Sequence, residues 1–350
     1  MDRTAPGTRE APPPRFAESP NRLFLTRVHG TTRLSPGFLR ITLRSESLRR
    51  FAPLGLDHRF KILLPSEDDG FAPELAEDLL PESRWRRRWR DLPARRRPLL
   101  RSYTVSAARP AAGELDVDVH LHAHPGPAAR WASLARPGDA LVISGAEASQ
   151  SRLERCVQWT PGGARKAWIG GDESAAPAIL GILAGLSRPH VHDDASAPHR
   201  HLGTLEVTVT AEAEAPEDAA WIRSCLQAHT AALPGASFEV ICRPDAARGE
   251  ALHRSAAHWL TRELGPDSAS EAAVGPPDIA DLYAWAATES SQVAALKRRL
   301  RLAGLPAAQI QAQAYWTQRP SRPSLQPSPE PGFPYPSGFP YPLPRHRTEA

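Results

Sequence analysis

The spacing of apolar residues changes once along this chain, between residues 145 and 165. Before that point, apolar and polar residues alternate in short runs separated by Gly and Pro, as in RLFLTRVHGTTRLSPGFLRITLRS. The runs FKILLP, RSYTVSA, ELDVDVHLHAH and ALVISG continue this pattern. A period of two is typical of strands that bury one face. Several short strands separated by turn residues predict a small antiparallel Greek-key β-barrel.

Beyond residue 165, short apolar runs alternate with stretches that carry apolar residues at helical spacing. The predicted strands are ARKAWIGG, LEVTVTAEA, FEVICRP, LYAWAAT and IQAQAYW. Helical spacing is clearest at Ile179, Ile182 and Leu186, and again at Val293 and Leu296. Alternating strands and helices predict an α/β nucleotide-binding type of domain, with a parallel sheet flanked by helices. The chain as a whole is predicted to be an α+β two-domain protein.

At 350 residues, the chain is long enough for two domains that each bury a core. We place the barrel domain at 21–150 and the α/β domain at 165–318. The ends, 1–20 and 319–350, are rich in Pro and are predicted to be disordered. The segment 187–203 carries two His-x-His pairs, which favour a surface loop over a metal site. No metal site is predicted.

Composition argues against several classes of protein. The net charge is only +4, and the Arg- and Trp-rich stretch at 84–97 has no second basic patch to extend it. We therefore predict a loop between two barrel strands there, and no nucleic-acid partner. Three widely spaced cysteines fit neither a disulfide framework nor a metal site. No secretion signal and no run of 18 apolar residues is present, which predicts a cytoplasmic protein without membrane insertion.

One predicted barrel strand carries the residue types that a flavin requires. Arg101 and Tyr103 fall on the same face of a strand with period two, and Thr104 follows them. A guanidinium can hold phosphate oxygens in a bidentate way, and a phenol ring can cover an isoalloxazine. A barrel followed by a nucleotide-type domain points to a flavin reductase. The alternative is an ordinary half-buried strand with a core Tyr and a solvated Arg.

Two predicted helix starts offer sites for anions. Gly126, Pro127 and Ala128 begin a helix without side-chain bulk, which suits a pyrophosphate. Gly171 ends a strand of the second domain, and Asp172 and Ser174 can cap the helix that follows. Each of these segments also fits an ordinary turn and helix cap. No GxGxxG motif is present.

Four stretches of the chain, the first of which carries two motifs, resemble in order the siderophore-interacting protein family, which comprises FAD-dependent ferric-siderophore reductases related to ferredoxin reductases. RSYTVS resembles the family's R-x-Y-T-V-R strand, and the His-containing strand end before GPAARWA resembles its G-P-A-x-x-W-A helix start. WIGGDESAAPAI and YAWAATES resemble G-D-E-T-A-x-P-A-I and W-A-A-G-E. AYW resembles G-Y-W, and the resemblance covers residues 21 to 318.

The resemblance implies a role for each matching residue. Residues implied to hold the FAD phosphates, ring and adenosine are Arg101, Ser102, Tyr103, Thr104, His122, Gly126, Pro127 and Ala128. Residues implied to line the nicotinamide side are Gly171, Asp172, Glu173, Ser174, Trp285, Ala286, Ala287 and Glu289. Tyr315 and Trp316 are implied to approach the flavin from the C-terminal end.

The implied activity is electron transfer from NADPH, NADH or ferredoxin through FAD to iron(III) held by a siderophore. Because a ferric siderophore is often anionic, candidate substrate contacts are Arg243, Lys297, Arg298 and Arg299, although basic residues on a helix are usually only solvated. No side chain is assigned as a catalytic residue, since the flavin carries the chemistry.

Three positions depart from the family pattern. Ser106 stands in place of an Arg, which predicts weaker FAD binding, and Thr288 and Ala314 stand in place of Gly. A side chain at a glycine position can displace a ligand that approaches the backbone closely. The alternative function is therefore a non-catalytic member of the family that binds flavin or siderophore.

Overall fold

The computed structural model describes residues 19–66, 70–122, 125–187, 205–243, 248–265 and 279–318. Three predictions concern residues outside these ranges. They are the disordered N-terminus up to residue 18, the Pro-rich tail at 319–350, and the His-x-His pairs at 190–201.

The first half of the chain forms an antiparallel sheet of seven strands. In chain order they are β1 (Asn21–Ser35), β2 (Phe38–Arg44), β3 (Arg59–Leu64), β4 (Leu99–Thr104), β5 (Ala107–Arg109), β6 (Glu114–His120) and β7 (Ala140–Ala146). Their order in the sheet is β4-β3-β7-β1-β2-β6-β5, and all paired neighbours are antiparallel. The short β5 strand was not predicted.

The order of strands requires this sheet to curl into a barrel. Strands β4 and β5 lie at opposite edges, which in a flat sheet would be about 29 Å apart. Only two residues join them, a reach of about 11 Å. Both linking residues bridge the edges, since Val105 N–H donates to His58 O at 2.9 Å and Ser106 N–H donates to Asp116 O at 3.0 Å. The predicted barrel is confirmed.

The Arg- and Trp-rich stretch connects the barrel strands β3 and β4 as predicted, but residues 84–91 of it are helical and do not form a loop. Helix α1 (Glu82–Asp91) begins after Pro81. Trp85 is fully buried against Leu23, Leu25 and other apolar residues outside the barrel, with Trp89 beside it. Residues four apart share one helix face. The two tryptophans hold α1 against the barrel. Between them, Arg87 is exposed, whereas Arg86 pairs with the buried Glu82 at 2.9 Å.

The second half of the chain forms a parallel sheet of five strands with helices on both faces. The strands are β8 (Lys166–Gly171), β9 (Glu206–Ala213), β10 (Ala236–Cys242), β11 (Leu282–Glu289) and β12 (Ile310–Trp316). Helices α3 (Ala176–Leu186) and α4 (Pro216–Thr230) share one apolar core with the sheet. Helices α5 (Glu250–Leu264) and α6 (Ser290–Leu302) share another, and α2 (Pro127–Leu134) packs on the barrel. The predicted α/β architecture is confirmed.

The strand order β10-β9-β8-β11-β12 reverses between β8 and β11. In open α/β sheets, ligands bind in the crevice at the carboxyl ends of the strands that flank such a reversal. Gly171 ends β8 at this point, and a Cβ there would lie 2.4 Å from the Ala175 side chain. The glycine therefore lets the turn into α3 pack closely.

Two buried carboxylates join the barrel to the parallel sheet. Asp57, which precedes β3, accepts hydrogen bonds from the backbone of Trp159 at 3.0 Å and from the indole of Trp285 at 3.0 Å. Asp218, in the first turn of α4, accepts from Ser35 Oγ at 2.5 Å and from Gly37 N at 2.9 Å. These contacts fix the barrel against the carboxyl edge of the sheet.

None of the described helices combines the length with the apolar composition that crossing a bilayer requires.

Candidate functional site

A cavity of about 550 Å³ lies between the open side of the barrel and the carboxyl edge of the parallel sheet. Most of the residues implied by the family resemblance line it. These are Arg101, Ser102, Tyr103, Thr104, His122, Gly126, Pro127, Ala128, Asp172, Glu173, Ser174, Tyr315 and Trp316. The structure thus brings together side chains from five separate segments of the sequence.

Strand β4 forms one wall of the cavity because it is the edge strand of the barrel. Tyr103 is half-buried against the barrel core, and burial raises the pKa of its phenol to about 12. Arg101 donates to its neighbour Leu100 O at 2.9 Å and pairs with no carboxylate in the described part of the chain. Its charge is therefore available to an anion in the cavity.

Ser106 stands where the family has Arg, so this position adds no positive charge to the cavity. Its hydroxyl accepts a hydrogen bond from Asp118 N–H at 3.0 Å. Asp118 lines the cavity, and Arg40 neutralises it through two contacts at 2.7 and 2.8 Å. This side of the barrel thus has one arginine fewer to bind an anion than the family pattern implies.

Arg59 is a cavity cation that the sequence reasoning missed. It is the first residue of β3 and pairs with Thr104 in the strand ladder. Its guanidinium donates to the side-chain oxygen of Gln313 on β12, across the boundary between the two sheets. The only sequence signal was a basic residue at the start of an apolar strand, which is a common arrangement.

Helix α2 points its N-terminus at the cavity. Pro127 is its first residue, and no side chain caps the helix at Gly126. Arg130 N–H donates to Gly126 O, so the first intrahelical bond leaves the N–H groups of Ala128 and Ala129 outside the helix ladder. Because a helix N-terminus favours negative charge, this end of the cavity suits a phosphate.

Asp172 joins three strand ends at the point of reversal. Its Oδ1 accepts from Ser174 N–H at 3.0 Å and from Ser174 Oγ at 2.5 Å, as the predicted helix cap does. Its Oδ2 accepts from Thr288 Oγ1 at 2.8 Å and from Trp316 Nε1 at 2.9 Å. Thr288, which replaces a family Gly, is therefore accommodated by a hydrogen bond, and Trp316 is held in place.

Arg243 lies in the interior, where it cannot act as the predicted substrate contact. Its side chain is only 4% exposed, 2.7 Å from Glu173 and 3.3 Å from Glu212. A buried guanidinium is kept where carboxylates compensate its charge. Arg243 thus ties the ends of β8, β9 and β10 together.

Arg248 is the second cavity cation that the sequence reasoning missed. Its guanidinium lies 4.9 Å from the centroid of the Trp316 ring and 3.1 Å from carboxylate oxygens of both Glu173 and Glu214. The residue precedes α5 and has no apolar pattern around it. Only the fold reveals its position, because every partner is distant in sequence.

The remaining predicted residues do not line the cavity. Trp285, Ala286 and Ala287 are buried in β11, Gly171 packs in the turn, and Glu289 caps α6 through Ser291 N–H at 2.6 Å. The predicted substrate contacts Lys297, Arg298 and Arg299 are exposed in the last turns of α6. They lie about 10–14 Å along the helix axis from its start at the carboxyl edge, which separates them from the cavity.

Tyr315 provides a test of whether the residues fit a flavin. Its hydroxyl is buried on the cavity wall beside the Thr104 side chain, and it makes no hydrogen bond of standard geometry among the described residues. Burial raises the pKa of this phenol, so it keeps its proton. A buried polar group without a partner is costly, and a ligand with a polar edge would satisfy it. The lining therefore fits a ligand that has a flat ring with a polar edge, as a flavin does.

An antiparallel barrel, a parallel sheet of order 3-2-1-4-5 and a cavity between them define the ferredoxin-reductase class of fold. A ferredoxin NADP+ reductase from Neisseria gonorrhoeae, solved with bound FAD and NADP, has this fold. It matches 84% of this chain and 99% of its own, with a TM-score of 0.51 and 13% identity.

The chain belongs to the siderophore-interacting protein family. Residues 27–150 match the siderophore-interacting FAD-binding domain, and residues 164–319 match the siderophore-interacting protein model. The siderophore-interacting protein SipS from Aeromonas hydrophila has the same fold, with a TM-score of 0.55 and 24% identity over 85% of this chain and 92% of its own.

Among curated relatives, the chain is similar to the mycobactin import ATP-binding/permease protein IrtA of Mycolicibacterium smegmatis. They are 29% identical over 71% of this chain and 23% of the relative. The NADPH-dependent ferric-chelate reductase of Escherichia coli is 32% identical over 47% of this chain and 58% of its own length. The chain thus spans about a quarter of the first relative and somewhat over half of the second.

Proposed function

We propose that this protein is an FAD-dependent reductase that transfers electrons from a nicotinamide dinucleotide to siderophore-bound iron(III). The observation that carries the proposal is the single cavity lined by β4, the N-terminus of α2 and the end of β12. Its volume of about 550 Å³ lies within the usual range for cofactor sites. Ferredoxin is the other donor that we consider.

Each end of the cavity offers a different kind of contact. Arg101 and the free N–H groups of α2 would hold phosphate groups, since both favour negative charge. Tyr103 would pack on the ring system, and Thr104 and the Tyr315 hydroxyl would meet its polar edge. Trp316 would cover the ring from the side of the parallel sheet, because Asp172 and Arg248 fix its indole.

Bound FAD would supply the conversion between a two-electron hydride donor and one-electron acceptors. One dinucleotide gives up a hydride, two iron(III) ions each gain one electron, and one proton is released. Iron(II) binds hard oxygen ligands more weakly than iron(III), so reduction would free the metal. The protein positions the reactants, and Arg59 offers positive charge to an anionic ferric chelate. We propose the reducing cytoplasm as its location, with which three free cysteines agree.

The proposal is tested by anaerobic reduction of the FAD-loaded protein. NADH, NADPH and reduced ferredoxin are each mixed with it while the visible flavin absorbance is followed. A ferric siderophore is then added together with a chromogenic iron(II) chelator. We expect at least one donor to bleach the flavin, and the ferric siderophore to restore its colour while iron(II) appears. Flavin that no donor bleaches would refute the reductase.

Ala314 supports a second candidate function, a non-catalytic member of the family that binds flavin or siderophore. Its methyl group lines the cavity where the family has glycine. A protein that retains FAD but passes no electrons to any ferric chelate would support this candidate. If Ala314→Gly then restored iron reduction, the methyl group would be the cause.

A further inference from the structure

The carboxylate of Asp172 is oriented by donors on both of its oxygens. The side chain is buried, and its Oδ1 accepts from the backbone N–H and the hydroxyl of Ser174. Its Oδ2 accepts from the Thr288 hydroxyl at 2.8 Å and from the Trp316 indole at 2.9 Å. Ser174 and Thr288 therefore fix the direction in which the carboxylate holds the indole.

Thr288 belongs to a pair of substitutions that face each other across two strands. It stands at a glycine position of the family pattern, and its partner on β12 is Ala314, which stands at another. The pairing of the strands shifts just beyond this pair, so that Glu289 lies opposite Trp316. A bulge of this kind changes the direction of the side chains beside it. The pair thus lies where β12 directs Trp316 to the cavity wall.

Trp316 lies on the side of the cavity from which a nicotinamide would come. It belongs to the parallel sheet, whereas Tyr103 belongs to the barrel wall, and a dinucleotide bound at the carboxyl ends of the strands approaches from the sheet. A nicotinamide would contact a bound flavin only where the indole has moved away. We propose that Thr288 is a positioning residue, which holds the Trp316 indole over the flavin through Asp172 and so limits access of the donor. The inference rests on the proposed function, because it concerns the donor side of the same cavity.

Removing the Thr288 hydroxyl should release the indole. In Thr288→Val a methyl group replaces the hydroxyl, and a methyl group cannot lie 2.8 Å from a carboxylate oxygen. The carboxylate must turn away, which weakens its bond to the indole. When only a fraction of the molecules can bind a ligand, the apparent affinity is lower by that fraction. Because Arg248 also contacts the Trp316 ring, we expect the fraction to rise about three- to tenfold rather than hundreds.

The test is equilibrium binding of the oxidised dinucleotides, which involves no electron transfer. NAD+ and NADP+ are titrated separately into the FAD-loaded full chain, and the change in visible flavin absorbance is followed. We expect Thr288→Val to bind the preferred dinucleotide about three- to tenfold more tightly than wild type. Thr288→Ser keeps the hydroxyl and should bind it as wild type does.

Two further variants separate positioning of the indole from a general effect on the fold. Trp316→Ala removes the indole, so adding Thr288→Val to it should change the affinity by less than about twofold. Thr210→Val is the matched control, because Thr210 is a buried threonine of strand β9 whose hydroxyl bonds to Glu239 and Ser255. It should leave the affinity unchanged.

The inference and the proposed function fail in different ways. Equal or weaker binding by Thr288→Val, the same gain in Thr288→Ser or Thr210→Val, or a gain that persists without the indole would overturn the inference. FAD that is lost on desalting, or no binding of either dinucleotide even by Trp316→Ala, would instead refute the proposed transfer from a dinucleotide through FAD.

Discussion

At the scale of single residues, Arg101 and Tyr103 carry the assignment of the flavin site. Arg101→Ala removes a charged donor from the cavity wall, and Tyr103→Ala removes the ring that packs on the flavin. We expect each change to raise the Kd for FAD by about ten- to a hundredfold, since a hydrogen bond to a charged group contributes about 1.5–3 kcal/mol and burial of a large apolar side chain contributes about as much. Titration of the apoprotein with FAD, followed by flavin fluorescence, measures this.

The control for Arg101 is Arg95→Ala, which removes an exposed arginine six residues upstream. It should leave the affinity for FAD unchanged. If all three variants bound FAD as tightly as wild type, the flavin would not lie along β4.

His58 makes stability depend on pH. Its imidazole is fully buried beside Phe51, neither ring nitrogen has a hydrogen-bond partner among the described residues, and burial lowers its pKa from 6.5 to about 4. Between these values the unfolded chain binds a proton that the folded protein excludes. The stability is therefore complete above pH 6.5 and falls as pH drops through 6.5 toward 4.

We expect the free energy of unfolding to fall by about 2 kcal/mol between about pH 7 and pH 5 through this group. His58→Leu should lack that component, and urea unfolding of both proteins at the two pH values measures it. Identical pH dependence in wild type and variant would show that His58 is not buried as a neutral group.

At the scale of secondary-structure elements, the ends of β8, β9 and β10 are held by one buried guanidinium. Arg243→Met would leave the carboxylates of Glu173 and Glu212 buried with less positive charge to compensate them. Loss of one partner from a buried ion pair costs about 3–5 kcal/mol. The midpoint of urea unfolding should fall accordingly. Arg254→Met, which breaks an exposed pair with Glu250, should change stability by less than about 1 kcal/mol. If Arg243→Met changed the free energy of unfolding by as little, Arg243 would not hold the three strand ends together.

The elements also differ in how well the sequence predicts them. Strand β11 and helix α3 were predictable because their apolar spacing is regular and their burial follows it. Helix α1 was not predictable. Its two tryptophans four residues apart indicate one buried face, but the arginines around them make the stretch read as a polar loop. The flavin strand and the α2 start were visible as local motifs. Arg59 and Arg248 were not, because their roles depend on partners that only the fold brings near.

At the scale of the whole molecule, the cavity exists only while the barrel and the parallel sheet stay joined. Asp218 holds the β1–β2 turn through Ser35 and Gly37. Asp218→Ala should lower the free energy of unfolding by about 2–3 kcal/mol, since two buried donors lose a charged acceptor. Glu217→Ala, its exposed neighbour in the same helix turn, should change it by less than about 0.5 kcal/mol. Equal effects of the two substitutions on the free energy of unfolding would mean that the contact between the barrel and the parallel sheet does not depend on Asp218.

The proposed function depends on a flavin that binds in the cavity and passes electrons to chelated iron. The most direct measurement combines both: the protein is loaded with FAD, freed of unbound flavin, reduced anaerobically, and mixed with a ferric siderophore in a stopped-flow spectrometer. We expect the flavin to stay with the protein, to bleach with a donor, and to regain its colour as iron(II) forms. Protein that loses all FAD on desalting, or reduced flavin that the ferric siderophore leaves unchanged, would refute the proposed function.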